Sequence, residues 1–360
     1  MSSSVTPLLE RTLSAITPLN ADMRQQAKQR LDQLAIPHWA LGRLMDLALE
    51  LAAITGSMKP AVARKSIAVM AGDHGIVEAG VSKFPQAVTL EMVRNFTNQA
   101  ASINALARQV GAEVTVVDAG VAGDLSELAT SGKIVDKKIA NGTANFAQGP
   151  AMTRQQAIQS IEAGIEVAES LADKTDLFGT GDMGIGNTSP SSAIIAVLCE
   201  RSVADVTGRG TGLDDAELEN KVQVLTQALK LNQPDHTDGL DVLAKVGGFE
   251  IGAIAGLILS AAAQKKPVMI DGVISSAGAL IAQSLAPLSV DYMIAGHRSV
   301  EQGHQIALEK LGKQPLLDLD LRLGEGTGGA VAMNLVESAV AILTEVATFE
   351  EAAVSQSNES

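Results

Sequence analysis

The chain is 360 residues long, 46% apolar and only 2% aromatic, with 33 glycines and a formal charge of -14 at pH 7. That is enough chain for one large α/β unit plus a smaller one, and it argues against nucleic acid as a partner, because base stacking needs aromatic rings and a phosphate backbone needs a basic face. Cys199 is the only cysteine, so no disulfide forms within the chain and no cysteine metal cluster is possible.

In chain order, residues 8–16, 20–34 and 41–54 carry apolar residues at i, i+3 and i+4 spacing and are predicted helices, Pro18 separating the first two. The first predicted strand is 66–70, ending in Ala71-Gly72-Asp73-His74-Gly75; the second is 113–117, ending in Asp118-Ala119-Gly120. Short apolar runs at 176–178, 203–206, 268–270 and 292–295 complete a set of six, most of them followed within two residues by glycine, aspartate or histidine and separated by Ala-rich helical segments. Strands alternating with helices predict a doubly wound, Rossmann-like parallel sheet of about six strands, which binds its ligand at the carboxyl edge. An apolar helix over 330–347 and a polar stretch over 350–360 follow. The N-terminal helices lack a strand partner, so they are expected to pack with that last helix as a small helical domain, 1–60 plus 331–360, beside a catalytic domain spanning 61–330. Residues 1–9 lack the basic start and apolar core of a secretory signal, and the longest apolar stretch, 251–263, is too short for a bilayer, so a cytoplasmic protein with no membrane partner is expected.

Three glycine-rich segments stand out. Residues 321–330 read LRLGEGTGGA and set one carboxylate, Glu325, among glycines and small residues; 179–190 read GTGDMGIGNTSP; 208–215 read GRGTGLDD and repeat the GxGTG pattern of 324–328. Glycine allows positive φ and close approach of a ligand, and successive N–H groups leading into a helix attract anions. One such loop is equally well a solvated turn; three imply a nucleotide-sized ligand. With the net charge negative, any phosphate is held locally, by helix N-termini and a few cations.

Gly72-Asp73-His74-Gly75 with residues 78–86, the Gly-Ile-Gly-Asn-Thr-Ser loop, Asn232-Gln233-Pro234, the segment 245–250, Asp271-Gly272 and 322–328 resemble, in order from about residue 41 to 341, the nicotinate-nucleotide:5,6-dimethylbenzimidazole phosphoribosyltransferase family. The resemblance implies transfer of the ribose 5-phosphate of nicotinate mononucleotide to a benzimidazole nitrogen, with release of nicotinate, for the lower ligand of cobamides. It implies no cofactor and no metal, the nucleotide and an aromatic base as small-molecule partners, and a homodimer. By the family's motif Glu325 is the base that takes the azole proton, and burial beside an apolar ring raises a carboxyl pKa toward neutral pH.

The same resemblance places the ribose and nicotinate against Gly181, Asp182, Met183, Gly184, Ile185, Asn187 and Thr188, with Gly326 across from them. The family usually has glutamate where Asp182 stands, and the shorter side chain leaves that contact open to a bridging water. Gly208, Arg209, Gly210 and Thr211 are the candidate 5′-phosphate loop, with the guanidinium supplying charge; Lys221 matches a family lysine near the nucleotide, and Ser299 follows the last strand and meets the phosphate. Arg298 beside it fits a surface role equally. The acceptor pocket draws on Ser82, Phe84, Pro85, Gln86 and Met92, with Leu323 across it and Asp73 and His74 at its base; as a lone pair the last two also suit a structural role, and they lack the further ligands a metal needs. Phe84 and Met92 stand where some members have small or polar residues, so several flat rings are acceptable. Trp39 departs from the family's proline-rich lead-in.

Two other classes compete. Residues 179–184 match GxGxxG, which read as a dinucleotide fingerprint makes an oxidoreductase with Glu200 or Asp205 as the ribose acid, but Ser189-Pro190 delays the helix the fingerprint should open. A non-catalytic nucleotide sensor or partner subunit is the other, and the presence of Glu325 counts against it.

Overall fold

The computed structural model describes residues 6–210 and 212–355. Helices α1 (Pro7–Ala15), α2 (Ala21–Leu31) and α3 (Arg43–Thr55) come first. The alternating part runs β1 (Lys65–Gly72), α4 (Ala87–Thr97), α5 (Ser102–Gln109), β2 (Ala112–Gly120), α6 (Ser126–Thr130), β3 (Val135–Asp136), α7 (Arg154–Leu171), β4 (Leu177–Met183) and α8 (Thr188–Leu198). Then follow α9 (Val203–Val206), α10 (Asp215–Asn232), α11 (Gly239–Val246), α12 (Phe249–Ala263), β5 (Val268–Ile270), α13 (Val273–Leu285), β6 (Met293–Ala295), β7 (His297–Ser299), α14 (Gln302–Leu311), β8 (Leu317–Leu321) and α15 (Thr327–Glu345).

Six strands form one parallel sheet in the order β3-β2-β1-β4-β5-β6. This is the doubly wound order, and its reversal point lies between β1 and β4, where such sheets leave a crevice at the strand carboxyl ends. Strand β1 shows why these residues are central. Its side chains alternate between two cores, Ala68 and Met70 facing α7, α8, α12 and α13, and Ile67, Val69 and Ala71 facing α3, α5 and α15. Every residue of β1 is buried, and each large aliphatic side chain so buried contributes ~1.5–3 kcal/mol. On the first face α7 and α12 touch backbone to backbone: a Cβ at Gly164 would strike Ala253 O, and one at Gly256 would strike Ile161 O.

The expected helices are present, with α2 capped by the Asn20 side chain, which accepts the Met23 N–H at 2.9 Å. Four differences from the sequence expectations have clear causes. Residues 203–206 are a helical turn, because Ser202 Oγ accepts the Asp205 N–H at 3.2 Å and starts one. The glycine segment expected to be a loop from 179 is strand as far as Met183, because tertiary packing admits no side chain there: a Cβ at Gly181 would lie 2.5 Å from Glu325 O. Strands β7 and β8 pair in parallel as a separate two-stranded sheet beside β6; they were not foreseen, β7 being three residues long and β8 alternating leucine with aspartate. The helices expected to make one small unit divide between the faces: α2 and α3 share a core with α15 and with Ile67 and Val69 of the sheet, whereas Leu9 of α1 joins the opposite core beside α7 and α12.

Helix α15, at 19 residues, is long and apolar enough to cross a membrane, contrary to the sequence expectation that no stretch was. Here Ala330, Met333, Val336, Ala339 and Leu343 are buried in the second core.

Candidate active site

The crevice at the reversal point is built from four strand ends. β1 delivers Asp73 and His74, β4 delivers Asp182, β5 is followed by Asp271, and the chain leaving β8 crosses above them as the Glu325 loop. Gly324, Glu325 and Gly326 have φ of +85°, +63° and +92°, three left-handed residues in succession. For glutamate that conformation costs ~1–3 kcal/mol, so the surroundings must impose it. They do: Asp271 Oδ2 accepts the Gly326 N–H at 3.2 Å, Asp271 Oδ1 accepts the Gly329 N–H at 2.8 Å, and Thr327 Oγ1 donates to Gly324 O at 2.8 Å. Gly326 has no room for a side chain, since a Cβ there would lie 2.9 Å from the backbone Thr180 O, and one on Gly324 would press on the Asp182 carboxylate at 3.2 Å.

Glu325 is 6% exposed, and its Oε2 accepts the main-chain N–H of Ile103 in the first turn of α5 at 3.1 Å. Burial pushes its carboxyl above the ordinary range, the Ile103 N–H opposes this, and the nearby Asp271 charge adds to it. Asp182 is buried and accepts from Asn187 Nδ2 at 3.0 Å through one oxygen, while its other oxygen has no protein partner. Burial first, then the Asp271 charge, hold it well above the usual carboxylate range. Carboxylates thus crowd one wall, which suits a ligand with a cationic ring.

The rest of the lining is rich in glycine and mixes arginines with carboxylates. A cavity of about 470 Å³ is lined by Gly208, Arg209, Gly210, Glu301 and Arg322 among others, and a neighbouring one of about 260 Å³ by Asp182, Asn187, Thr188, His297, Ser299 and Leu323. Lys221 is fully buried behind them, its Nζ donating to Thr188 Oγ1 at 2.8 Å, and desolvation pushes its ammonium down to about 8. Arg209 lines the larger cavity, but its guanidinium donates to Leu213 O at 2.9 Å and pairs with Asp215, so part of the charge expected for a phosphate is already engaged. Thr211 lies outside the described residues. Arg298 faces outward and pairs with Asp318 at 3.4 Å.

The expected acceptor residues separate into two groups. Ser82 meets Gly184, Ile185 and Asn187 around a hollow of about 40 Å³. Phe84 and Leu323 are 46% and 58% exposed and Pro85 is exposed too, while Gln86 is half-buried before α4 and Met92 half-buried against the second core. Asp73 and His74 lie deeper than expected. Asp73 Oδ2 accepts the Ala122 N–H at 2.8 Å, and His74 Nε2 lies 2.8 Å from Glu250 Oε1 on α12, with both side chains of that pair fully buried. Burial disfavours the imidazolium, but the charges of Glu250 and Asp73 outweigh it and raise the His74 pKa. These two residues support the floor of the crevice. Asn232 and Lys245, from the other quoted motifs, are also structural: Asn232 Nδ2 donates to Phe146 O at 2.7 Å and Lys245 Nζ to Gln233 O at 3.0 Å.

Several site residues had no role in the sequence analysis. Thr89 Oγ1 accepts the Ile185 N–H at 3.0 Å and holds the loop after β4 against α4. His297 Nε2 lies 3.5 Å from Asp271 Oδ1, and His304 Nδ1 accepts the Ser299 N–H at 2.9 Å. Glu301 and Arg322 line the larger cavity. Asp271 and Arg322 sat inside quoted motifs and were legible as positions; the Ile103 main-chain donor left no trace in residue type.

A doubly wound sheet that brings glycine amides, a buried lysine and a loop carboxylate to its reversal point is an arrangement for sugar-phosphate transfer, and residues 16–354 match the family model described as phosphoribosyltransferase. A nicotinate-nucleotide:dimethylbenzimidazole phosphoribosyltransferase from Syntrophotalea carbinolica is 62% identical over 349 residues, 97% of this chain and 99% of that protein. One of the same name from Desulfotalea psychrophila is 55% identical over 348 residues, 96% and 98% respectively. The crystal structure of the so-named protein from Thermus thermophilus superposes with a TM-score of 0.89 at 43% identity, covering 94% of this chain and all of that one. The chain belongs to the nicotinate-nucleotide:dimethylbenzimidazole phosphoribosyltransferase family.

Proposed function

We propose that this enzyme transfers ribose 5-phosphate from nicotinate mononucleotide to 5,6-dimethylbenzimidazole or a related aromatic base, giving nicotinate and an α-ribotide for the lower ligand of cobamides. The observation that carries the reading is Glu325, one carboxylate fixed by a strained turn at the mouth of the crevice. The leaving group is a pyridinium, so its departure neutralises a cation and needs no general acid. The acceptor must lose its N–H proton while its other ring nitrogen attacks C1′ from the face opposite the departing ring. A single base suffices for that, and the raised carboxyl of Glu325 suits it.

In this reading Asp182 receives ribose hydroxyls, the amides of Gly208 and Gly210 receive the 5′-phosphate with Ser299, and Lys221 supplies positive charge through Thr188. Phe84 and Leu323 form an open apolar wall for a flat ring. We place the protein in the cytoplasm as a homodimer, in line with its family resemblance.

The test is a mass-resolved assay of purified protein with nicotinate mononucleotide and 5,6-dimethylbenzimidazole, beside azole, purine and phenol acceptors and beside Glu325→Gln. Ribotide formed by the wild type and lost in the variant supports the reading. Nucleotide binding without product from any acceptor refutes it in favour of a sensor or partner subunit.

A further inference from the structure

Asp271 is a carboxylate with no role in the chemistry above, and it is bonded to the catalytic loop on both of its oxygens. It is 1% exposed at the end of β5. Its Oδ2 meets the N–H of Gly326, the residue after Glu325, and its Oδ1 meets the N–H of Gly329 in the first turn of α15, at 3.2 and 2.8 Å. A carboxylate at this place satisfies helix N–H groups that have no partner within the helix. Asp271 is itself tied down, because its own N–H donates to Thr180 Oγ1 at 3.2 Å, and that hydroxyl lies 2.9 Å from Ser275 Oγ. β4, the end of β5, α13 and the catalytic loop are thereby joined through two side chains, Thr180 and Asp271.

We infer that Asp271 is a positioning residue of the transfer, gripping Gly326 and Gly329 so that Glu325 stays in its left-handed turn with its carboxylate beside α5. The inference rests on the transferase reading. The charge of Asp271 also raises the Glu325 carboxyl. The charged and titratable groups facing the pair are Asp182 from β4, His297 from β7 and, behind His297, His304 from α14. The Asp271 charge raises Asp182 and His297 in the same way as Glu325.

The experiment compares the wild type with Asp271→Asn and Thr180→Val in the ribotide assay across pH. Asparagine keeps the volume but turns an N–H₂ toward one of the two N–H donors and removes the charge. The expected result is a kcat lower by about 10²-fold, as for a misplaced catalytic group, with KM for nicotinate mononucleotide little changed and the acid limb of the kcat profile moved to lower pH. Thr180→Val, which removes the acceptor of the Asp271 N–H together with that hydroxyl's bonds to Ser275 Oγ and Met269 O but leaves the Asp271 carboxylate and its charge in place, is expected to lower kcat by less, roughly tenfold, again without a KM effect and with the acid limb unmoved; it decides the matter if Asp271→Asn does not fold. Wild-type kcat in the folded variants, a loss confined to KM, or an acid limb that stays in place in Asp271→Asn overturns the inference. Failure of the wild type itself to make ribotide would instead refute the transferase reading.

Discussion

Glu325 Oε2 and the main-chain N–H of Ile103 meet at 3.1 Å across 222 residues of sequence. The bond aims the carboxylate and slightly favours its charged form, while burial works the other way and prevails, with Asp271 adding to it. Wild-type kcat is therefore expected to fall with decreasing pH at a midpoint above the ordinary 4.5. Glu325→Gln, unable to take the proton, is expected to lose about 10²- to 10⁴-fold in kcat while still binding the nucleotide. A pH–rate profile together with equilibrium binding checks both, and an active variant removes Glu325 from the role of base.

Lys221 is a buried cation whose folded pKa is near 8 against the ordinary 10.5. Below pH 8 both folded and unfolded chains hold the proton, and no slope arises. Between about 8 and 10.5 the unfolded chain holds a proton that the native state has released, so this group makes stability rise with pH. Urea unfolding should show the wild type gaining up to roughly 3 kcal/mol relative to Lys221→Met across that window. A constant difference between the two would contradict a buried lysine that releases its proton near pH 8 in the native state.

His304 is the converse case in acid. Burial, helped by His297, pushes its pKa down to about 3, so it is neutral in the native state while the unfolded chain takes up a proton below pH 6.5. Stability is expected to fall between pH 6.5 and 3, and His304→Leu should lack that part of the slope. At pH 8 the leucine variant is expected to be less stable by roughly 1–3 kcal/mol, because the Ser299 N–H loses its acceptor. Equal acid unfolding of the two proteins would dismiss the idea.

Gly164→Ala places a methyl group against Ala253 O, a backbone atom that no rotamer change can move. Helices α7 and α12 must separate, and a loss of about 3 kcal/mol or more is expected, at the upper end for overpacking. Thermal unfolding measures it; a melting temperature like the wild type's would mean that the helices slide apart freely.

The periodic elements were legible where one face of a segment decides its state, as in the three N-terminal helices and the short apolar strands at 66–70 and 268–270. Residues 203–206 have strand-like ends but lie next to Ser202, and a capping hydroxyl outweighed two valines. β4 runs through glycines that read as a loop because the reason for them, the close passage of Glu325 O, is tertiary. The candidate site was named from loops and resemblance, Glu325 and Asn187 from their glycine settings, Lys221 from a family match and Ser299 from its place after a strand, and the structure puts these residues around the crevice. What the letters could not carry was who already holds whom: Asp215 on Arg209, Ala122 on Asp73, and Glu250 on His74.

Ala35 N–H donates to Ala347 O and Phe349 N–H to Gln33 O, while Arg30 donates to Leu343 O and Val346 O. The helix that begins two residues after Glu325 is thus fastened at its far end to the α2 region, more than three hundred residues earlier. On the ribosome, α2 and α3 must wait with their apolar faces uncovered until that helix has emerged, since α15 is what covers them. The turn that carries Glu325 and the packing of the second core are therefore parts of one helix's docking, so what loosens α15 from α2 and α3 is also felt at the crevice.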